Sequence, residues 1–530
     1  MDTAFYLVWR NSFLRSFIRY RVLKDIEIDV DQDYLIKNHR YLSLLSPKEK
    51  FAHKIAFRWK ISTGDQFKQY LESVYKEFVD ELDINIINDE HVEQGSREFT
   101  NIDCGSFHDG LFRLSFFVDK YTVGHNRLPD TIVDLSMYQS FYTQDPYTSV
   151  FVDGIVAHLP KDLKSLCLPN SYTFSMPMAL PDTLVELNYA STYESLKHLV
   201  VSPATDAELC IAELINEKEL EWVNQQSWIR SIKLSIPNYR INQTIAPHIR
   251  KVGITCQVEF GVDSFPVDLD SLVIYNCPIP NLRGILPPRL KVLALEEYPH
   301  PIENGVLPAS LEDLSIGMHQ HEILPYVLPS GLKRLDMTLY NYPLQLGVLP
   351  NGLKNLCFEE FNHPLTPGVL PSTLNTFSCT YFDSTIEPNT LPASLTRLGL
   401  YSYSGPLDSF GLLPNLRELT VIKLDHSLVS VISSPSITRL KLSFEDIDPS
   451  LSLSHTHIKY LHLQFHGIPR FTLTPNFLPL SLLKLKANKI NINSSDIIPN
   501  GCISLDTDMK DLNIDFIPKS VKYINKNKYI

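Results

Sequence analysis

Apolar positions along this chain recur in triplets set by a proline. Between Leu286 and Leu400 an apolar residue stands three, six and eight places after each proline, as in Leu311, Leu314 and Ile316 or Leu353, Leu356 and Phe358. The proline follows a leucine, and Leu-Pro returns at Leu286-Pro287, Leu307-Pro308, Leu328-Pro329, Leu349-Pro350, Leu370-Pro371 and Leu391-Pro392, a constant step of 21 residues. The pair at six and eight has the two-residue period of a strand, so both side chains point to one face and their neighbours point away. One such strand cannot bury its own face. Stacked coils solve this by pairing strands about 4.8 Å apart and closing a continuous apolar core behind them. Proline suits the start of each coil because its φ is fixed and it needs no partner for a backbone donor. A fixed period of this length predicts a repeat solenoid.

The residues after each strand narrow the reading. Phe361-Asn362-His363-Pro364-Leu365 resembles the FNIP repeat, whose core is Phe-Asn-x-Pro-Ile, and degenerate copies stand at Tyr298-Pro299-His300-Pro301-Ile302, Tyr340-Asn341-Tyr342-Pro343-Leu344 and Tyr403-Ser404-Gly405-Pro406-Leu407. His319 to Ile323 lacks both the aromatic residue and the proline, and a different turn is expected there. The chain thus resembles the FNIP repeat-containing family, which is leucine-rich-repeat-like and of social amoeba and giant virus type. That resemblance implies binding functions and no catalytic residues. The expected fold is an α/β repeat solenoid, leucine-rich-repeat-like, with stacked parallel strands of about 21-residue coils and an N-terminal helical cap.

Thr3 to Lys24 reads as that cap helix, since Phe5, Trp9, Phe13, Phe17 and Tyr20 recur at three- and four-residue spacing among arginines. Strand-like triplets follow at Leu23, Ile26 and Ile28, at Ala52, Ile55 and Phe57, at Val79, Leu82 and Ile84, and at Leu111, Leu114 and Phe116. The intervals leave room for a helix behind each coil. Gln66 to Asp80 supplies one, with Phe67, Tyr70, Leu71, Val74, Tyr75 and Phe78 on one face. Leu-Pro coils begin at Leu128, and Ala204 to Gln226 interrupts them as an amphipathic helix on the rim. After Leu413-Pro414 the proline period wavers, and the last coil is polar, as a terminal coil facing water should be. The expected organisation is residues 1–127 as cap helix and long helix-bearing coils, 128–203 as Leu-Pro repeats, 204–227 as a helical insertion and 228–530 as the FNIP or leucine-rich-type array. We read one elongated body, with a separate helical domain ending near residue 127 as the alternative.

Composition narrows the function classes. A net charge of -12 spread along the chain, with 44% hydrophobic and 20% charged residues, describes a folded, soluble protein and argues against nucleic acid as a partner. The eight cysteines are scattered with no Cys-x-x-Cys pair, which reads as reduced core positions. The apolar run Ala4 to Trp9 ends at Arg10, too short for a signal peptide, and no stretch approaches the length of a membrane span. A cytoplasmic protein with no membrane partner is expected, the nucleus remaining open.

No nucleophile elbow, phosphate loop, zincin helix or dinucleotide fingerprint occurs, so neither catalysis nor a cofactor is expected. His455, His457, His462 and His466 crowd one coil and His319 and His321 another, but no cysteine or carboxylate set completes a zinc site. The outward strand positions carry more information. Five, seven and nine places after each proline stand Asp313, Ser315 and Gly317, then Arg334, Asp336 and Thr338, then Asn355, Cys357 and Glu359. On a concave wall these are the usual recognition positions of such an array. Asp313, Arg334, Asp336 and Glu359 are the candidate partner-binding residues, with the three carboxylates set to meet a basic stripe; Lys484 and Lys486 form only a local basic patch. At the N-terminus Trp9, Phe13 and Ile18 among basic residues resemble a calmodulin target, the competing reading being cover for the first coil. The expected function is a non-enzymatic protein-interaction scaffold that binds partner proteins through the concave face. The alternatives are a substrate-recruiting subunit of a ubiquitin ligase, for which the N-terminus lacks an F-box pattern, and a calmodulin-responsive regulatory binder.

Overall fold

The computed structural model describes residues 26–46, 49–50, 53–86, 100–117, 121–123, 127–139, 146–202, 205, 207, 209–241, 245–448, 450–525 and 527–528. The expected cap helix, with Trp9, Phe13 and Ile18, lies outside them. The chain forms two compact units, residues 1–236 with 248–250 and residues 237–247 with 251–530.

In the first unit, parallel strands pair in chain order: β1 (Glu27–Val30), β2 (Ala56–Ile61), β3 (Glu81–Ile84), β4 (Arg113–Phe117), β5 (Asp134–Tyr138), β6 (Ser165–Cys167), β7 (Glu186–Thr192), β8 (Cys210–Leu214) and β9 (Ser231–Leu234). Helices occupy several of the long returns. Helix α1 (Gln32–Leu42) starts where the Asp31 carboxylate accepts from Tyr34 N at 2.8 Å. Helix α2 (Gly64–Glu72) starts where Thr63 Oγ1 accepts from Gln66 N at 3.2 Å, and it buries Phe67 and Tyr70. Both caps satisfy orphan amides of the first turn.

Three local readings change here. The helix expected over Gln66 to Asp80 stops at Glu72, Ser73 turns extended and Val74 is exposed. Asp80 is needed elsewhere: its buried carboxylate meets Lys50 Nζ at 2.5 Å and accepts from Phe57 N at 3.0 Å. The triplets of the first two coils lie four residues later than their spacing suggests, because Val30 pairs with Trp59, Trp59 with Leu82 and Ile61 with Ile84. Ile55, Phe57, Trp59 and Ile61 are all buried, so the alternation runs on and its frame is ambiguous from sequence. Finally, the stretch read as a helix over Ala204 to Gln226 contains β8, in which Cys210, Ala212 and Leu214 are buried alternately, and only then helix α3 (Glu217–Val223).

The second unit is the regular ladder. Its parallel strands are β10 (Lys251–Ile254), β11 (Ser271–Ile274), β12 (Val292–Glu297), β13 (Asp313–Met318), β14 (Arg334–Met337), β15 (Asn355–Phe358), β16 (Thr376–Cys379), β17 (Arg397–Leu400), β18 (Glu418–Val421), β19 (Arg439–Phe444), β20 (Tyr460–Phe465), β21 (Lys484–Asn488), β22 (Ser504–Thr507) and β23 (Tyr523–Ile524). Leu314, Leu335, Leu356, Phe377 and Leu398 pair in register and are all buried, forming one ridge of the core. The strand step stays at 21 residues from Leu419 through Leu440 to Leu461, although the prolines waver there. Helix α4 (His426–Ile432), capped by Asp425, fits inside one such coil.

The repeat chemistry is visible bond by bond. At each coil start of the regular block the proline carbonyl accepts from the N–H three residues on, as in Leu311 N to Pro308 O and Leu353 N to Pro350 O, both at 3.1 Å. Phe361, Phe382 and Tyr403 stack in succession at 6.1 and 5.8 Å between ring centres. The asparagine of the motif bridges coils: Asn341 Oδ1 accepts from Asn362 N at 3.0 Å, Asn362 Oδ1 from Asp383 N at 2.9 Å and Asp383 Oδ1 from Ser404 N at 2.7 Å. A further copy at Phe382-Asp383 thus joins those read from sequence. His319 takes the aromatic place in its own coil, fully buried and stacked on Tyr298 at 6.0 Å, with Nδ1 donating to Tyr298 O at 3.0 Å.

Candidate interaction surface

Alternation along strands such as β14, β15 and β16 buries one residue and turns the next outward, so outward residues fall into columns set by the register. Asp313 and Arg334 are neighbours in one column, Asp336 stands in the next and Glu359 lies beyond the end of β15. Arg334 sits between two of the acids, with Nε 4.0 Å from Asp313 Oδ1 and Nη2 3.3 Å from Asp336 Oδ2. Burial pushes the Asp313 carboxyl above its usual value; Arg334 opposes this and Asp336 adds to it. The structure therefore brings Asp313, Arg334 and Asp336 together as one partly neutralised group. Glu359, half-buried, makes no ion pair among the described residues.

The first unit presents a different face. Arg58 meets Glu27 at 2.7 Å and Asp29 at 2.9 Å, Lys60 meets Asp29 at 2.9 Å, and Arg113 meets Glu81 at 2.7 Å and Asp134 at 3.2 Å. Acids on β1 and β3 are interleaved with bases on β2 and β4, and the charges satisfy one another. Sequence reading missed this lattice because it weighed outward positions only in the regular coils, although its triplets already set Asp29 beside Arg58 and Glu81 beside Arg113.

Towards the end of the second unit the outward positions become cationic. Arg439, Tyr460 and Lys484 form one column across β19, β20 and β21, and Lys441, His462 and Lys486 form the next. The Arg439 guanidinium lies 4.4 Å from the Tyr460 ring centre and Lys441 Nζ 5.4 Å from that of Tyr401. Among the described residues Arg439, Lys441 and Lys486 have no carboxylate at ion-pair distance, whereas Lys484 reaches Asp506 at 3.6 Å. Partial burial, then the charges of Lys486 and Lys441, push the His462 imidazole down to about 4. The sequence signal was present in Lys484 and Lys486, but only strand register joins them to Arg439 and Lys441.

The crowded histidines separate. His462 is on this face, His466 follows the end of β20, and His455 and His457 precede the strand, all three of these exposed. Among the described residues no group of three histidine, cysteine or acidic side chains is placed to hold a metal, and no helix is long and apolar enough to cross a membrane.

Residues 275–319 and 340–378 match the FNIP repeat family. Solved structures with similar chains include CroV588, described as a circular leucine-rich-repeat protein, at 18% identity over 89% of this chain and 75% of that one, with a TM-score of 0.41. YopM from Yersinia enterocolitica WA-314 matches at 17% identity over 78% and 87%, with a TM-score of 0.35. The plant peptide hormone receptor RGFR1, in complex with RGF2, matches at 12% over 81% and 79%, with a TM-score of 0.32. No curated protein sequence matches.

Proposed function

The chain is an FNIP-repeat protein built as a leucine-rich-repeat-like solenoid, and from that premise we propose that it is a non-enzymatic scaffold binding partner proteins through the outward sheet face of its second unit. One observation carries the reading. Inward strand positions keep to a few apolar residue types, whereas outward positions change character from coil to coil, from the Asp313, Arg334 and Asp336 group through Thr376 and Ser378 to Arg439, Lys441 and Lys486. Solvation alone asks only that such positions be polar. This face also keeps Tyr401 and Tyr460 each 39% exposed, the kind of large, stiff side chain that supplies contact area at low entropic cost.

The test compares proteins captured from lysate by the intact chain and by a variant with Asp336→Arg, Glu359→Lys, Lys441→Glu and Lys486→Glu. Substitutions at outward positions shift stability by about 0.5 kcal/mol or less each and Asp336→Arg also gives up the contact with Arg334, so a melt that shows the variant folded precedes the comparison. Partners held by the intact chain and lost from the variant support the face as recognition surface. Identical captured sets place recognition elsewhere.

A further inference from the structure

We propose that the face of β19, β20 and β21 binds a short acidic segment of a partner polypeptide, a reading that rests on the scaffold function above and specifies its chemistry.

The chain carries net charge -12, yet here Arg439, Lys441, Lys484 and Lys486 gather on three adjacent strands with His462 between the lysines of its column. On the first unit Arg58, Lys60 and Arg113 of the corresponding face each meet a carboxylate. Arg439, Lys441 and Lys486 have none among the described residues. Unpaired like charges held side by side repel, and an acidic ligand relieves that repulsion.

The cationic side chains are also held in place. Arg439 rests on Tyr460 and Lys441 on Tyr401, contacts that limit the freedom lost on binding. Asn488 Nδ2 donates to His462 Nε2 at 3.2 Å, which leaves the proton of a neutral imidazole on Nδ1. The charged or titratable groups facing His462 from its neighbouring strands are Arg439, Lys441, Lys484 and Lys486, with Tyr460 on its own strand. Partial burial first, and then the charges of Lys486 and Lys441, disfavour its protonated form.

The size of the patch selects the ligand. Glu418 precedes Arg439 in its column and Asp506 follows Lys486 in the next, so carboxylates bound the cationic area on both sides. Lys441 and Lys486 are two strand spacings apart, about 10 Å. An extended peptide crossing the strands spans that distance in about three residues at 3.3 Å each. A nucleic acid needs a longer phosphate-tracking stripe, which Glu418 and Asp506 would repel.

Fluorescence anisotropy on the full chain, with labelled octaglutamate, octaglutamine and an eight-nucleotide single-stranded DNA as probes, tests the proposal. Octaglutamate should bind, octaglutamine should not, and binding should weaken as salt rises. Lys441→Gln with Lys486→Gln should weaken octaglutamate at least tenfold without moving the melting temperature. Lys333→Gln, outside the patch and paired with Glu312 at 2.7 Å, should leave binding unchanged. Absent octaglutamate binding, indifference to the double substitution, or tighter binding of the DNA through the same lysines would each overturn the acidic-peptide assignment. If octaglutamate fails while the face variant still loses its captured proteins, the scaffold reading stands and only this ligand chemistry is lost.

Discussion

His319 stands where neighbouring coils carry Tyr298, Tyr340 or Phe361, and its ring does the same stacking work with one addition, a titratable nitrogen. Nδ1 donates to Tyr298 O, so the neutral ring keeps its lone pair on Nε2, which has no partner in a fully buried site. Protonation would place a charge and an unmatched N–H there. Burial accordingly holds the group below its ordinary 6.5, with the bond to Tyr298 opposing and His321 adding to the effect. Above that ordinary value neither folded nor unfolded chain carries the proton, and stability is unaffected. As pH falls below it the unfolded chain takes up a proton that the folded chain refuses, and stability drops by up to about 1.4 kcal/mol per pH unit until the folded group titrates. His108 and His248 are also held low by burial and act in the same direction. His319→Phe keeps the stack and removes one share of the acid sensitivity. Denaturant midpoints at about pH 7.5 and pH 5 should lie closer together in the variant than in the parent chain. An unchanged gap would mean that His319 accepts its proton in the folded state.

The strand ladder depends on each inward side chain meeting its counterpart one coil away. Leu356 is 1% exposed between Leu335 and Phe377. Leu356→Ala should cost about 2–5 kcal/mol through the cavity it leaves, and Leu356→Asp should cost more, because it buries a charge with no partner. Asn355→Asp, one residue away and facing outward, should be nearly neutral. Thermal melts separate the three, and equal melting temperatures would contradict the ladder. This much was legible from sequence because leucine spacing and proline period agree over the regular coils. The first two coils were misframed where Ile55, Phe57, Trp59 and Ile61 extend the alternation beyond two buried positions. His319 was read as a missing aromatic residue, since composition does not show that an imidazole can fill a phenyl site. The cationic face was the least legible feature. Arg439, Lys441 and Lys486 lie on different coils, and only their pairing through Tyr460 and His462 brings them together.

A ladder in which every coil touches only its neighbours has a stability close to a sum of coil terms and interface terms. The regular block makes that additivity testable, because its register repeats with a step of 21 residues. Deleting residues 350–370 joins Leu349 to Pro371 and preserves the Leu-Pro start. Leu335 would then stack on Phe377, and Asn341 Oδ1 would face Asp383 N in place of Asn362 N, so each broken interface is replaced by one of the same kind. Deleting residues 350–360 removes β15 but leaves the motif beginning at Phe361 without its strand, so Leu335 loses a partner and the carbonyls of β14 face no ladder. The longer deletion should retain parallel-sheet circular dichroism and a cooperative melt, while the shorter one should lower the melting temperature sharply or abolish the transition. The order is the opposite of what residue count alone suggests. If the 21-residue deletion is the more damaging of the two, the coils are not interchangeable and the stability of the block rests on contacts beyond nearest neighbours.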